Sequence, residues 1–411
     1  MSNITLDTKR SFAAPLRAAD LRIVTSGLAL LLLGAIFLNE VIDGRQAWLF
    51  IVGGALGLVL YHALFGFTSA FRVFFSDRRG AGLRAQMIML ALACALFFPA
   101  LASGELFGRE VSGFVAPVGV SVVIGAFLFG LGMQLGGGCA SGTLFTVGGG
   151  STRMVITLFG FIAGSVLGAY HLPWWQEQPA FQPVSLVGSF GWFPALLGNL
   201  AVFAAVYLGT IWLEKRRHGK LLEGAEAQTQ GWQRFLRGPW PLVWGAVALA
   251  ILNFMTLALA GRPWGITSAF ALWGSKTLGA SGVDVAAWGY WSRPGRAAAL
   301  DQSVFADITS VMNFGVIIGA FLAAGLAGKF APVWNLPARS VVAAIIGGLL
   351  LGYGARLAFG CNIGAYFSGI ASGSLHGWVW IVAALAGNWL GTRLRPWFGL
   401  AVERTPQKSA C

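Results

Sequence analysis

The order of apolar and polar positions divides the chain into long and short apolar runs. A membrane span needs about 20 mostly apolar residues. Ten runs qualify: roughly 21–38, 48–64, 85–103, 114–135, 154–170, 193–213, 239–260, 308–328, 340–359 and 378–396. Four further pieces, 65–75, 138–150, 264–280 and 361–374, are too short or too glycine-rich to cross, and each follows a span directly. Interrupted backbone at membrane depth is tolerated only where protein covers it or where it lines a cavity. The pattern predicts an all-α polytopic membrane protein with about ten transmembrane helices and four re-entrant segments. Residues 1–20 are polar and no small-residue cleavage site follows the first run, which is therefore expected to be retained rather than removed as a signal peptide.

The short pieces repeat. Gly66-Phe67-Thr68-Ser69-Ala70-Phe71 matches Gly265-Ile266-Thr267-Ser268-Ala269-Phe270 at a shift of 199, and Gly130 to Phe145 matches Gly352 to Phe367 at a shift of 222. At 223, Gly164 and Gly168 fall on Gly387 and Gly391. Both halves read span, TSAF piece, two spans, glycine–cysteine piece, span, with 21–38 and 193–213 left over as one extra span per half. The expected units are residues 1–213, a linker 214–237, a second half 238–398 and a tail 399–411.

Composition agrees with a membrane protein: 56% of the 411 residues are hydrophobic and 10% charged, and mean hydropathy is +0.72. A soluble domain carries about 25% charged residues. The net charge of +13 comes from bases in loops between apolar runs, which fits orientation in a bilayer better than nucleic-acid binding. With a cytoplasmic N-terminus and one crossing per span, cytoplasmic segments hold 21 of the 28 Lys and Arg, including Lys9, Arg10 and Arg17, and outer segments hold six. Arg356 lies within a span. This parity puts both termini in the cytoplasm of a bacterial-type inner membrane and makes the repeats inverted, so that the four broken segments converge from opposite faces near the midplane, as in many transporters.

The convergent segments offer donors and no acids. Glycines around Cys139 and Cys361 let backbone approach a solute closely, and a short helix starting there aims free N–H groups and a positive dipole end at it. Gly138, Ser141, Gly360, Asn362, Thr68, Ser69, Thr267 and Ser268 complete a candidate substrate path, although small and hydroxyl residues at membrane helix contacts commonly serve packing. None of the four pieces contains Asp or Glu, whereas proton and cation paths usually show intramembrane carboxylates. Arg356, and Arg153 and Lys276 beside short pieces, would favour a negative solute; Arg153 and Lys276 equally read as snorkelling interface residues. Facing an anion, Cys139 and Cys361 would have to keep their protons, as apolar surroundings favour, and a neutral S–H is a weak donor suited to a soft sulfur anion. Cys94 reads as packing, Cys411 as solvent-exposed, His218 as a linker residue and His376 as interfacial. No metal-ligand or redox cysteine spacing is present and no cofactor is implied.

Three motifs carry a family resemblance: Gly132-Met133-Gln134-Leu135-Gly136-Gly137-Gly138-Cys139-Ala140-Ser141-Gly142-Thr143, Pro263-Trp264-Gly265-Ile266-Thr267-Ser268-Ala269-Phe270, and Gly354-Ala355-Arg356-Leu357-Ala358-Phe359-Gly360-Cys361-Asn362-Ile363-Gly364-Ala365 with its continuation to Trp378. Over roughly residues 50–395 the chain resembles the long, two-repeat form of the YeeE/YedE family of sulfur-compound membrane transporters. That resemblance implies thiosulfate uptake through an hourglass-shaped protein, with Cys139 and Cys361 passing the ion by weak S–H hydrogen bonds, and a cytoplasmic sulfur-carrier protein as partner. One departure stands out: the family's first motif often has a cysteine before Phe-Thr-Ser-Ala-Phe-Arg, where this chain has Gly66.

The expected function is thus a transporter, not an enzyme, for a small sulfur oxyanion. The rivals are a carrier of a selenium or other sulfur species, a membrane sulfurtransferase using Cys139 or Cys361 as nucleophile, and a structural subunit whose short pieces are packed shut. The nucleophile reading lacks a neighbouring His or Lys in sequence to activate the thiol.

Overall fold

A computed structural model describes residues 19–222 and 231–405. Lys9, Arg10, Arg17, Cys411, the centre of the linker and the end of the tail lie outside these described residues. The first half contains α1 (Leu21–Val41), α2 (Gly44–His62), α3 (Phe67–Asp77), α4 (Ala81–Ser103), α5 (Val120–Gly136), α6 (Ala140–Gly148), α7 (Thr152–Gln176), α8 (Leu186–Phe190) and α9 (Trp192–His218). After α10 (Gly231–Arg237) the second half continues with α11 (Leu242–Ala260), α12 (Thr267–Ala280), α13 (Pro294–Asp301), α14 (Ile308–Ala327), α15 (Ala338–Leu357), a π-helical turn Asn362–Phe367, α16 (Ser368–Ala371) and α17 (Leu375–Leu394). Side-chain caps set several starts: Asp20 accepts from Arg22 and Ile23 N–H, Asp43 from Gln46 N–H and Asp307 from Ser310 N–H.

Among the described residues nine segments are long and apolar enough to cross a membrane, three of them joining a long helix to the short piece after it: 44–77, 120–148 and 338–371. The 20-residue α17 is not one of the nine, because His376, Asn388 and Arg393 lower its hydropathy. The span expected from residue 114 starts at 120. Polar Glu105, Arg109 and Glu110 precede it in the short antiparallel pair β1 (Glu105–Leu106) and β2 (Arg109–Glu110), and β3 (Val118–Gly119) pairs with β4 (Ala180–Phe181).

The packing exchanges partners between halves. α2 packs on α14 while α4 packs on α11; α5 packs on α17 while α7 packs on α15; α1 lies on α14 while α9 lies on α4. Each pairing thus occurs twice with the halves swapped, and the two helices left over by the sequence match each other. At the centre, α5 meets its own repeat mate α15. A Cβ added at Gly347 would stand 2.1 Å from Gly136 N, and one at Gly354 2.4 Å from Gly125 O. Residue number therefore rises along α5 as it falls along α15: the mates are antiparallel, and the repeat is inverted.

One face collects the ends joined by Asp20 N–Gly325 O, Trp240 N–His62 O, Thr152–Val333 and Arg72–Glu403 contacts. Its loops and helix ends carry Arg78, Arg79, Lys215, Arg216, Arg217, Lys220, Lys329, Arg339 and Arg404; we call it the basic face. Between the faces one apolar core runs through both halves, with Phe67, Phe129, Phe161, Trp264, Phe270 and Trp380 buried around Cys139 and Cys361.

Candidate functional site

On the face opposite the basic one, the start of α12, the end of α15 and the 281–307 connection enclose a cavity of about 540 Å³. Thr267, Ser268, Gly360 and Arg356 of the expected path line it, as do Arg262, Arg296, Tyr290 and Asp307. Arg356 is 8% exposed. Its Nη1 donates to Tyr290 Oη at 2.7 Å and its Nη2 to Thr267 Oγ1 at 2.9 Å, while Nε has no partner. The Arg296 guanidinium stands 4.2 Å from the Tyr290 ring centroid, and Arg262 Nη2 donates to Thr309 Oγ1 at 3.3 Å. No ion pair among the described residues involves Arg262, Arg296 or Arg356. The one acid in the wall, Asp307, is engaged as helix cap, accepting from Ser310 N at 2.8 Å and Ser310 Oγ at 2.6 Å. Guanidinium groups in a desolvated wall are suited to oxyanions.

Beneath the cavity floor lies the break. Gly360 has φ +155°, and a Cβ there would meet Ala365 N at 2.8 Å, so only glycine fits this turn. Cys361 then caps the π-helical turn, and Cys139 caps α6. The two carrying elements touch, and both cysteines are buried in the shared core. Cys139 Sγ accepts from Gly142 N at 3.5 Å and lies 3.3 Å from Ser141 Oγ. Gly138 and Ser141 are buried beside it. Asn362 is fully buried, and neither amide atom of its side chain has a partner. Here the structure is closed.

On the basic face, Gly66 and Ser69 line a smaller pocket of about 190 Å³ with Arg79 and Gln86. Ser69 Oγ donates to Gly66 O at 3.0 Å. Thr68 is buried, and its carbonyl, not its hydroxyl, accepts from Gln134 Nε2 at 3.1 Å. The expected path residues therefore fall into three groups: Thr267, Ser268, Arg356 and Gly360 at the cavity, Cys139, Cys361, Gly138, Ser141 and Asn362 at the closed break, and Thr68 and Ser69 toward the basic face.

Several readings change. His376 is not interfacial: it is fully buried, Nε2 bonding Ala358 O at 2.9 Å and its ring edge-on to Phe114. Arg153 neither faces a solute nor snorkels. Its guanidinium donates to Gly136 O at 2.6 Å, Leu135 O at 2.7 Å and Ser340 Oγ at 2.8 Å, capping the end of α5. Cys94 packs as expected, with Sγ 3.6 Å from Ile370 O. Tyr290 and Arg296 were missed because their connection has no apolar periodicity.

Fold and site together define a multi-pass helical membrane protein of inverted-repeat architecture, with a cation-lined cavity opposite its basic face. The sequence profile of one family, described as sulphur transport, matches residues 62–390, and the chain belongs to that family. It is 34% identical over 178 residues to a probable transporter, YedE, of Escherichia coli K12, a match that covers 42% of this chain and 43% of that protein. The chain thus spans less than half the length of that relative. It is 28% identical over 363 residues to the thiosulfate transporter TsuA of Spirochaeta thermophila, covering 82% of this chain and 96% of that protein. Against the TsuA of Escherichia coli K12 the identity is 25% over 354 residues, covering 84% and 93%.

Proposed function

We propose that this protein imports a small sulfur oxyanion, thiosulfate, across the bacterial inner membrane from the cavity face to a cytoplasmic basic face, through two inverted halves, 1–213 and 238–398, joined by the linker 214–237. The observation that carries the reading is the cavity opposite the basic face, where three guanidinium groups have no ion-pair partner among the described residues. Membership of the sulphur transport family and the two TsuA relatives support the substrate. The excess of bases on one face supports the orientation.

In this reading the ion exchanges water for Arg356, Thr267, Ser268 and the free N–H groups at the start of α12. It then passes the break between Cys361 and Cys139, where neutral thiols donate weakly and the unpartnered Asn362 amide offers one further donor. Binding is strong enough to enter and loose enough to leave. Exit is past Thr68 and Ser69. The test is uptake of ³⁵S-thiosulfate by cells lacking other sulfate and thiosulfate importers. Expression of the protein should restore uptake, with excess unlabelled thiosulfate competing better than sulfate or selenite. Absence of restored uptake contradicts the reading, and selenite competing best reassigns the substrate.

A further inference from the structure

A long helix that ends at a break leaves its last carbonyls without helical partners, and such an end carries partial negative charge. At the ends of α5 and α15 side chains from other elements take these carbonyls up, and the donors are repeat mates. Arg153 at the start of α7 and His376 at the start of α17 are 223 residues apart, the shift that aligns Gly164 and Gly168 with Gly387 and Gly391. Their targets, Gly136 O and Ala358 O, are 222 residues apart, and each lies three residues before its cysteine. Arg153 Nη1 donates to Gly136 O at 2.6 Å, and His376 Nε2 bonds Ala358 O at 2.9 Å. A carbonyl only accepts, so Nε2 holds the proton. Nδ1 has no partner, and the bond to Ala358 O is the only hydrogen bond that the fully buried ring makes among the described residues. One turn further along each helix the mates Thr157 and Trp380 repeat the arrangement, Thr157 Oγ1 donating to Gly136 O at 3.1 Å and Trp380 Nε1 to Gly360 O at 3.2 Å.

Between the two carbonyls held by α17 stands Phe359 at φ +55°, a left-handed conformation unusual for a bulky residue. Such a turn persists only where its surroundings fix it. His376 and Trp380, four residues apart on one face of α17, grip it on both sides of the strained residue, immediately before Cys361. We infer that His376 and Trp380, with their mates Arg153 and Thr157, are positioning residues of the ion path: they hold the carbonyls that precede each cysteine on protein donors, so that these carbonyls do not confront an anion at the break. The inference rests on the transport reading and adds to it what keeps the break open to negative charge. Unwound carbonyls left free at a broken helix coordinate cations instead. Once released from its donor, the carbonyl of Ala358 or Gly360 turns with the 358–360 segment, bringing partial negative charge and a displaced Cys361 to where the ion passes.

The test is the concentration dependence of ³⁵S-thiosulfate uptake, expressed per folded protein in the membrane, for variants that differ chiefly in the donor. His376→Leu and Trp380→Phe remove it, and each should lower the maximal rate about tenfold, the scale of an orphaned buried acceptor, while half-saturation, set at Arg356, stays within about twofold of wild type. His376→Gln returns an amide donor at the reach of Nε2 and should recover most of the rate. A purely structural cap predicts another pattern, a lower yield and a disturbed size-exclusion profile with a normal rate for each folded molecule. Wild-type rates in folded His376→Leu and Trp380→Phe proteins would overturn the inference while leaving transport intact. So would a His376→Gln rate as low as that of His376→Leu. Should His376→Leu fail to fold, Trp380→Phe, which keeps an aromatic ring and loses the N–H, decides alone. Absence of uptake by the wild type would instead remove the transport reading itself.

Discussion

In the cavity opposite the basic face, Arg262, Arg296 and Arg356 make no ion pair among the described residues, and their donors go to hydroxyls, a carbonyl and an aromatic ring. At the basic face, by contrast, three arginines are neutralised by carboxylates. Arg72 is clamped by Glu403 through bonds of 2.7 and 2.6 Å, Arg79 pairs with Asp77 at 2.9 Å and Arg84 with Glu214 at 2.7 Å. Arg395 is tied to Gln134 O at 2.6 Å and Ala401 O at 2.9 Å, and Arg153 to the end of α5. Arg72, Arg79 and Arg84 of the basic face are thus engaged by acids, whereas the three guanidiniums of the cavity wall make no ion pair among the described residues.

The comparison depends first on the crossing of α5 and α15. Gly347→Val places two methyls where a Cβ already overlaps Gly136 N at 2.1 Å, so the halves cannot seat. We expect no monodisperse protein after detergent extraction, read by size-exclusion profile; a normal profile would mean that the crossing tolerates separation. The next effect is close to all-or-none. Ser69→Cys and Ser268→Cys, repeat mates made separately in a Cys411→Ser background, should react with a membrane-impermeant maleimide from opposite faces. The Ser268→Cys protein should label from outside whole cells, and the Ser69→Cys protein in inverted vesicles only. The native Cys94, Cys139 and Cys361 are buried and should stay unlabelled. Labelling of both variants from one side would break the inversion.

A smaller effect concerns the cavity. Tyr290→Phe leaves Arg356 Nη1 without its 2.7 Å partner and should raise half-saturation for thiosulfate about tenfold, the usual cost of an orphaned charged donor being about 1.5–3 kcal/mol. The smallest concerns the basic face. Burial alone would push the Glu403 carboxyl up, but hydrogen bonds from Arg72 and the charges of Arg72 and Arg395 outweigh it and hold it below its ordinary value. A depressed carboxyl stabilises the docked tail above the ordinary glutamate value of about 4.3 and loses that stabilisation as pH falls through its lower folded value. Protection of Ser76 and Thr405 amides from hydrogen exchange should therefore hold from neutral pH down to about 4.3 and decline below it; Glu403→Gln should show the weaker protection at every pH.

The sequence carried the repeat and the breaks because glycines at fixed spacing mark both the close helix crossings and the turns: Gly132 and Gly354 align by number and pack across one interface. The inversion was legible in the parity of Lys and Arg between successive loops. The glycine register also sets Arg153 on His376. What the sequence did not carry was partnership. His376 looked interfacial because its bond to Ala358 O spans 18 residues. Arg153 looked free because the carbonyls it caps belong to the helix before the break. Tyr290 became visible only when the irregular 281–307 connection folded over the cavity. Gly66, which stands where the related motif often has a cysteine, has φ −102° and ψ 110°, a conformation open to any residue. Its absent side chain is therefore no backbone requirement.

In the proposed path the ion crosses where the elements that carry Cys139 and Cys361 touch. This crossing is tested most directly by ³⁵S-thiosulfate uptake in cells lacking other importers, comparing wild type with Cys139→Ala and Cys361→Ala at matched membrane levels. Each single substitution should cut uptake severely while folding and binding of thiosulfate at the cavity persist. Wild-type uptake in both variants would contradict it.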